Sequence, residues 1–151
     1  MSKRQFEDIQ DGIRDLKDKI EKIGKQFKKR NLTFSECIPP HHICRDILIA
    51  SNSSLIGNYE HIMQVLSDYY GVTKMDNRHK PEEVPKNCIA CYSSWDKTAY
   101  YTKKTANIDT VLHEFFHHLH GQGIVTLNSD ENAEKCADAY AKICVSLGEI
   151  P

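Results

Sequence analysis

Four histidines and one glutamate stand within ten consecutive positions of this chain, in the run VLHEFFHHLH at residues 111–120. Among them, His113, Glu114 and His117 follow the spacing H-E-x-x-H. Residues four apart on a helix stand one above the other, so both imidazoles can reach a single ion. Glu114 lies about 100° round the helix from His113. From there its carboxylate can lean over a water beside the ion and take a proton as that water attacks a carbonyl. Such chemistry needs a third protein ligand and one coordination position left open. The apolar companions Ile108, Val111, Leu112, Phe115, Phe116 and Leu119 predict a mostly buried helix, in which polar groups must be paired or liganded.

The third ligand is expected downstream. The stretch ENAEKCADAY places Glu134 and, four residues on, Asp138 on one face of a helix. The intervening GQGIVTLNSD is long enough to turn the chain back. In the resulting hairpin Glu134 faces His117, and Asp138 stands beside His113, where it can accept the ring N–H that does not face the metal. Glu131 shares a face with Glu134 and competes with it as ligand. His120 lies about 10.5 Å along a straight helix from His113, too far for one ion to bridge. Position 120 is also histidine where the pattern H-E-x-x-H-x-x-G-x-x-H requires glycine. His118 points off the face shared by His113 and His117.

Taken together, HEFFH and the later EKCAD resemble the gluzincin pattern H-E-x-x-H…E-x-x-x-D, and EKCADAYA is similar to the E-x-x-A-[ND]-x-[FY]-A stretch of ImmA/IrrE-type metallopeptidases. The resemblance covers residues 60–147 and leaves the N-terminal segment unaccounted for. It implies a zincin-like domain, expected over residues 31–151 after an amphipathic heptad-patterned helix at residues 1–30, with a small edge-stranded sheet, an active-site helix and a glutamate helix. It also implies one Zn²⁺ ion per chain held by His113, His117 and Glu134, with Glu114 as general base and Asp138 supporting a ligand. The substrate would be a peptide or protein whose amide bond is hydrolysed. Tyr140, His118 and His120 are candidates for a second electrophile, and AYYTKK is where the resemblance places the edge strand that a substrate would join. Zinc is favoured by the two imidazoles and a carboxylate, although iron, manganese or cobalt can occupy such a set. The alternative is a non-catalytic or latent regulatory module on the same scaffold. An intact Glu114 argues against that reading, because a purely structural ion has no need of a base.

The elements that must position these groups read as α+β: helices, then a small sheet, then two helices. Residues 4–30 carry Phe6, Ile9, Ile13, Leu16, Ile20, Ile23 and Phe27 at alternating spacings of three and four, a heptad seam on one long helix. The seam is expected to pack on the chain's own domain or to pair with a second copy. Gly12, Gly24 and the scarcity of flanking charges lean toward the domain. PPHHICRDILIASNSSL and NYEHIMQVLSDYY read as two helices broken around residues 52–58 and ended by Gly71. IACYSS and AYYTKK read as strands joined by the turn WDKT. Asn107 is the expected N-cap of the histidine helix and Gly121 its end, while NSDE opens the last helix, whose apolar face includes Cys136, Tyr140 and Cys144.

Composition sets the outer bounds. With 40% apolar and 27% charged residues the chain is long enough to bury one core, and a net charge of -1 gives no general attraction to nucleic acid or membrane. No apolar run approaches the roughly 20 residues of a membrane helix, and the N-terminus runs straight into charge without a signal-like apolar segment, so a cytoplasmic protein is expected. In a reducing compartment six cysteines are free thiols or metal ligands. Cys37, Cys44, Cys88 and Cys91, with His41 and His42, have the composition of a second, structural zinc site, but buried small hydrophobes are the favoured reading.

Overall fold

The computed structural model describes Gln5, residues 7–16 and residues 29–151. It is a mixed α+β structure in which helices flank a three-stranded sheet. The first short helix, α1 (Phe34–Cys37), is closed by a capping box: Thr33 Oγ1 accepts from Glu36 N, and Glu36 Oε1 accepts from Thr33 N. The sequence TFSE carries that signature. α2 (His41–Ala50) follows Pro39 and Pro40 and ends five residues short of Leu55. A 3₁₀ turn (Ile56–Tyr59) leads into α3 (Glu60–Tyr70), which stops at Gly71 in the left-handed conformation, φ 68°.

The sheet consists of β1 (Asp76–His79), β2 (Ala90–Ser93) and β3 (Thr98–Tyr101) in the order β1-β3-β2. β3 runs parallel to β1, with Asp76 opposite Thr98, and antiparallel to β2, with Ala90 opposite Tyr101. One expectation is corrected here. AYYTKK supplies the central strand, all four of whose residues are buried, and the edge strand beside the histidine helix is β2. β1 carries no strand signal of its own, because DNRH has no apolar alternation and its side chains stay largely exposed. The hairpin turn is Ser94–Lys97, closed by Lys97 at φ 56°.

The last two helices are α4 (Ile108–Gly121) and α5 (Ala133–Glu149). Asn107 occupies the N-cap of α4 without a side-chain cap bond. NSDE does not open α5. Glu131 folds back on Asn128 in a turn, and the helix begins two residues later, with Asn132 Oδ1 accepting from Lys135 N at 3.1 Å. The connecting segment is tied down elsewhere. Leu32 donates to Ile124 O and accepts from Thr126 N, and Gly123 takes φ 75° to make the turn.

The core lies where α2, α3, α4 and α5 meet the buried face of the sheet. Phe116 sits 5.5 Å from Tyr140 and 6.0 Å from Phe34, and Phe115 lies 5.9 Å from Tyr70. Fully burying one such ring contributes about 1.5–3 kcal/mol. α2 comes so close to α5 that a Cβ on Gly148 would lie 2.6 Å from Cys44 O. The open end of α5 is finished by α2, since His41 Nε2 donates to Ile150 O at 2.7 Å and Arg45 donates to Gly148 O.

The N-terminal seam is described in part. Residues 7–16 are helical, and Ile9, Ile13 and Leu16 are 50%, 60% and 60% exposed, so the chain's own domain does not cover them. Phe6, Ile20, Ile23 and Phe27 lie outside the described residues. No helix among the described residues is long and apolar enough to cross a membrane.

Candidate metal centre

α4 is held by its apolar side. Val111, Leu112, Phe115, Phe116 and Leu119 are buried, which leaves the stripe carrying His113 and His117 facing outward toward α5. α5 returns antiparallel to it, so Glu134 stands opposite His117 and Asp138 opposite His113. His117 Nε2 lies 2.8 Å from Glu134 Oε1, His113 Nε2 lies 3.1 Å from Glu134 Oε2, and the two Nε2 atoms are 3.3 Å apart. Among the described residues, these three side chains form the group whose ligand atoms all lie within 4.8 Å of one another. Glu131, the competing ligand, instead accepts from Asn128 N.

Hydrogen-bond accounting explains what such a cluster needs. Asp138 Oδ1 lies 2.7 Å from His113 Nδ1. A neutral imidazole that donates from Nδ1 presents a bare lone pair at Nε2. That lone pair points at a carboxylate and at a second imidazole nitrogen, an arrangement of converging acceptors that a cation relieves. Burial holds His117 below its ordinary pKa, with the Glu134 carboxylate pulling the other way, so desolvation favours the neutral form that binds metals. Both imidazoles are about four-fifths buried, while the Glu134 and Asp138 carboxylates reach in from the exposed side.

Glu114 completes the site. It is 5% exposed, and its Oε2 is fully buried without a hydrogen-bond partner. Desolvation raises its pKa to about 7; the His113 imidazole opposes the rise and the Glu134 charge adds to it. A carboxylate poised near neutrality, buried one residue from His113, suits a proton-accepting role. His113, Glu114, His117 and Glu134 line a cleft of about 760 Å³ whose opposite wall is β2.

The candidate electrophiles separate. His120 lines this cleft. Tyr140 does not: it is fully buried, and its hydroxyl meets Tyr70 Oη at 2.9 Å in the core. His118 is also fully buried, with Nδ1 accepting from Tyr92 Oη and Nε2 donating to Thr73 O, each at 2.6 Å.

The cysteines divide in the same way. Cys37 and Cys44 are buried in the core as expected, but Cys88 is exposed and Cys91 half-buried on the cleft wall, so the buried reading fails for this pair. None of the four belongs to the group that could hold a metal ion among the described residues. Cys91 donates instead to Glu83 O. The wall formed by β2 was missed in sequence because ACYS and TAYY have equal claim to an edge position until their pairing is known. No protein-family model, curated protein or solved structure matches the chain.

Proposed function

We propose that this chain is a metal-dependent peptidase of the zincin type, with zinc as its ion. The observation that carries the reading is the buried, partnerless Oε2 of Glu114 beside three converging ligand atoms. A scaffold built for structure alone gains nothing from a desolvated carboxylate at that point. His113, His117 and Glu134 hold the ion, and Asp138 fixes His113 in the tautomer that ligates. The ion, when bound, supplies Lewis acidity that polarises a carbonyl and makes water a stronger acid.

The remaining work falls to the protein. Glu114 takes the proton from water as the water attacks the scissile carbonyl, then delivers it to the leaving amine. Among the described residues β2 is bordered on one side only, by β3, so an extended substrate can pair with its free backbone edge and lie across the cleft. His120 stands on the cleft wall as the remaining candidate to steady charge on the substrate oxygen.

Purified protein is expected to carry about one equivalent of zinc, and Glu134→Ala is expected to lose it. Glu114→Gln keeps the shape of the site and is expected to retain the metal while cutting peptide hydrolysis by about 10²–10⁴. Full metal retention in Glu134→Ala, or equal cleavage by Glu114→Gln, would sink the assignment.

A further inference from the structure

The cleft is lined by four carboxylates, those of Asp109, Glu114, Glu134 and Asp138, and by one lysine, Lys142. Glu134, Asp138 and Lys142 follow one another at intervals of four on α5 and so form one stripe along the cleft. The pairings of His117 with Glu134 and His113 with Asp138 set the register of the two helices. Continued by one turn, that register brings Lys142 level with Asp109. No ion pair or hydrogen bond engages the ammonium of Lys142 among the described residues. An unpaired cation in a cleft of acids is available to a ligand.

The direction of the cleft can be read from β2. Ile89, just before this strand, shares a second small cavity with Asn107 and Thr110 at the start of α4. Tyr92 and Ser94 lie against Gly121 at the end of α4. β2 therefore runs in the same direction as α4. A peptide adding to its free edge in the more stable antiparallel sense runs the opposite way. Its N-terminal half lies toward His120 and its C-terminal half toward Lys142. Lys142 is eight residues from Glu134, about 12 Å of helix rise. Allowing for the reach of the lysine side chain, that is roughly two residues of extended chain beyond the bond at the metal centre.

We propose that Lys142 is a specificity-determining residue that binds a carboxylate on the C-terminal side of the scissile bond. The carboxylate belongs either to an acidic side chain or to the free end of the peptide. This inference rests on the peptidase reading of the same cleft.

Hydroxamate-capped dipeptides, which place a metal-binding group at the centre and residues on the C-terminal side, test it without turnover. The second residue would be Glu, Gln or Lys with an amidated end, or Ala with a free carboxyl end, and binding to the zinc-loaded full chain would be measured by calorimetry. A carboxylate is expected to tighten binding about fivefold over Gln, the size of a partly exposed ion pair, and lysine to weaken it. Comparing the Glu and free-end probes tells which source the site takes. Lys142→Ala should remove the preference and Lys142→Glu invert it, both with zinc content unchanged. Charge-independent binding, or a preference that survives Lys142→Ala, overturns the role of Lys142 and leaves the peptidase reading standing. If no hydroxamate binds the zinc-loaded protein, the peptidase reading fails and takes this inference with it.

Discussion

His117 and His118 are neighbours on one helix, and the protein uses them in opposite ways. His118 faces the sheet with both ring nitrogens committed, one to Tyr92 Oη and one to Thr73 O. His117 faces α5, and among the described residues its Nε2 meets Glu134 and the Nε2 of His113. Burial depresses the pKa of both rings, so burial alone does not distinguish a ligand from a structural histidine. The difference lies in what surrounds the nitrogens. His118 has a donor for its lone pair and an acceptor for its N–H, which closes its hydrogen bonding. The nitrogens of His113 and His117 converge with a carboxylate and leave room for a positive charge.

The sharpest way to break this contrast is to remove each ring in turn. His118→Ala leaves the hydroxyl of Tyr92 and the carbonyl of Thr73 without their partner and opens a void in the core. A loss of about 3 kcal/mol is expected in denaturant unfolding, with metal content per folded molecule unchanged. His117→Ala is expected to do the reverse, abolishing metal binding while the metal-free protein unfolds within about 1 kcal/mol of wild type. Loss of metal in both variants with equal destabilisation would mean that the two faces are not separate.

A second test compares Glu114 with the histidines around it in the metal-free protein. Its folded-state pKa of about 7 exceeds its ordinary value of 4.5, so the native state holds more protons than the unfolded state between those limits. Stability from this group is therefore fully present below about pH 4.5, falls as pH rises and is gone above about pH 7. The total is about 3 kcal/mol at 1.36 kcal/mol per pKa unit. The depressed histidines act in the opposite sense, losing stability as pH falls. For that reason the quantity to measure is the difference between wild type and Glu114→Gln across pH 4–8. The difference should shift toward the mutant by that amount as pH rises. A flat difference would show that Glu114 is not held in a desolvated pocket.

The same contrast shows what could be read from the residues. Helical spacing alone brought His113, His117, Glu134 and Asp138 together, because a four-residue interval on each of two packed helices leaves little freedom. The opposite wall was not legible in this way, because which strand stands at the edge depends on pairing between distant segments. DNRH forms a strand through its pairing with β3, not through any alternation of its own, and without β1 in view AYYTKK had no reason to be central. Tyr140 carried two readings, on the apolar face and as an electrophile, and its burial bears out the first. It is three residues from an apolar position and two from Asp138, and only the packing against Phe116 and Tyr70 decides which side its ring takes. Long-range pairing fixed what local pattern left open.

The smallest effect is expected at Asp138, and it tests whether a partner outside the ligand set tunes the centre. Its carboxylate accepts from His113 Nδ1 at 2.7 Å and is itself 64% exposed, so it is not needed to hold the helices together. Asp138→Asn keeps the size of the side chain and can still accept through its amide oxygen. It removes the negative charge that makes the imidazole a better donor to a metal, and it allows the amide to turn and present N–H to the ring. Zinc affinity is expected to weaken by about 10–100-fold, with unfolding of the metal-free protein unchanged. Competition with a chelator of known strength measures the first and denaturant unfolding the second. If Asp138→Asn binds zinc as tightly as wild type, the 2.7 Å contact is an incidental surface pairing. His113 would then be oriented by helix packing and by its Nε2 contacts with Glu134 and His117.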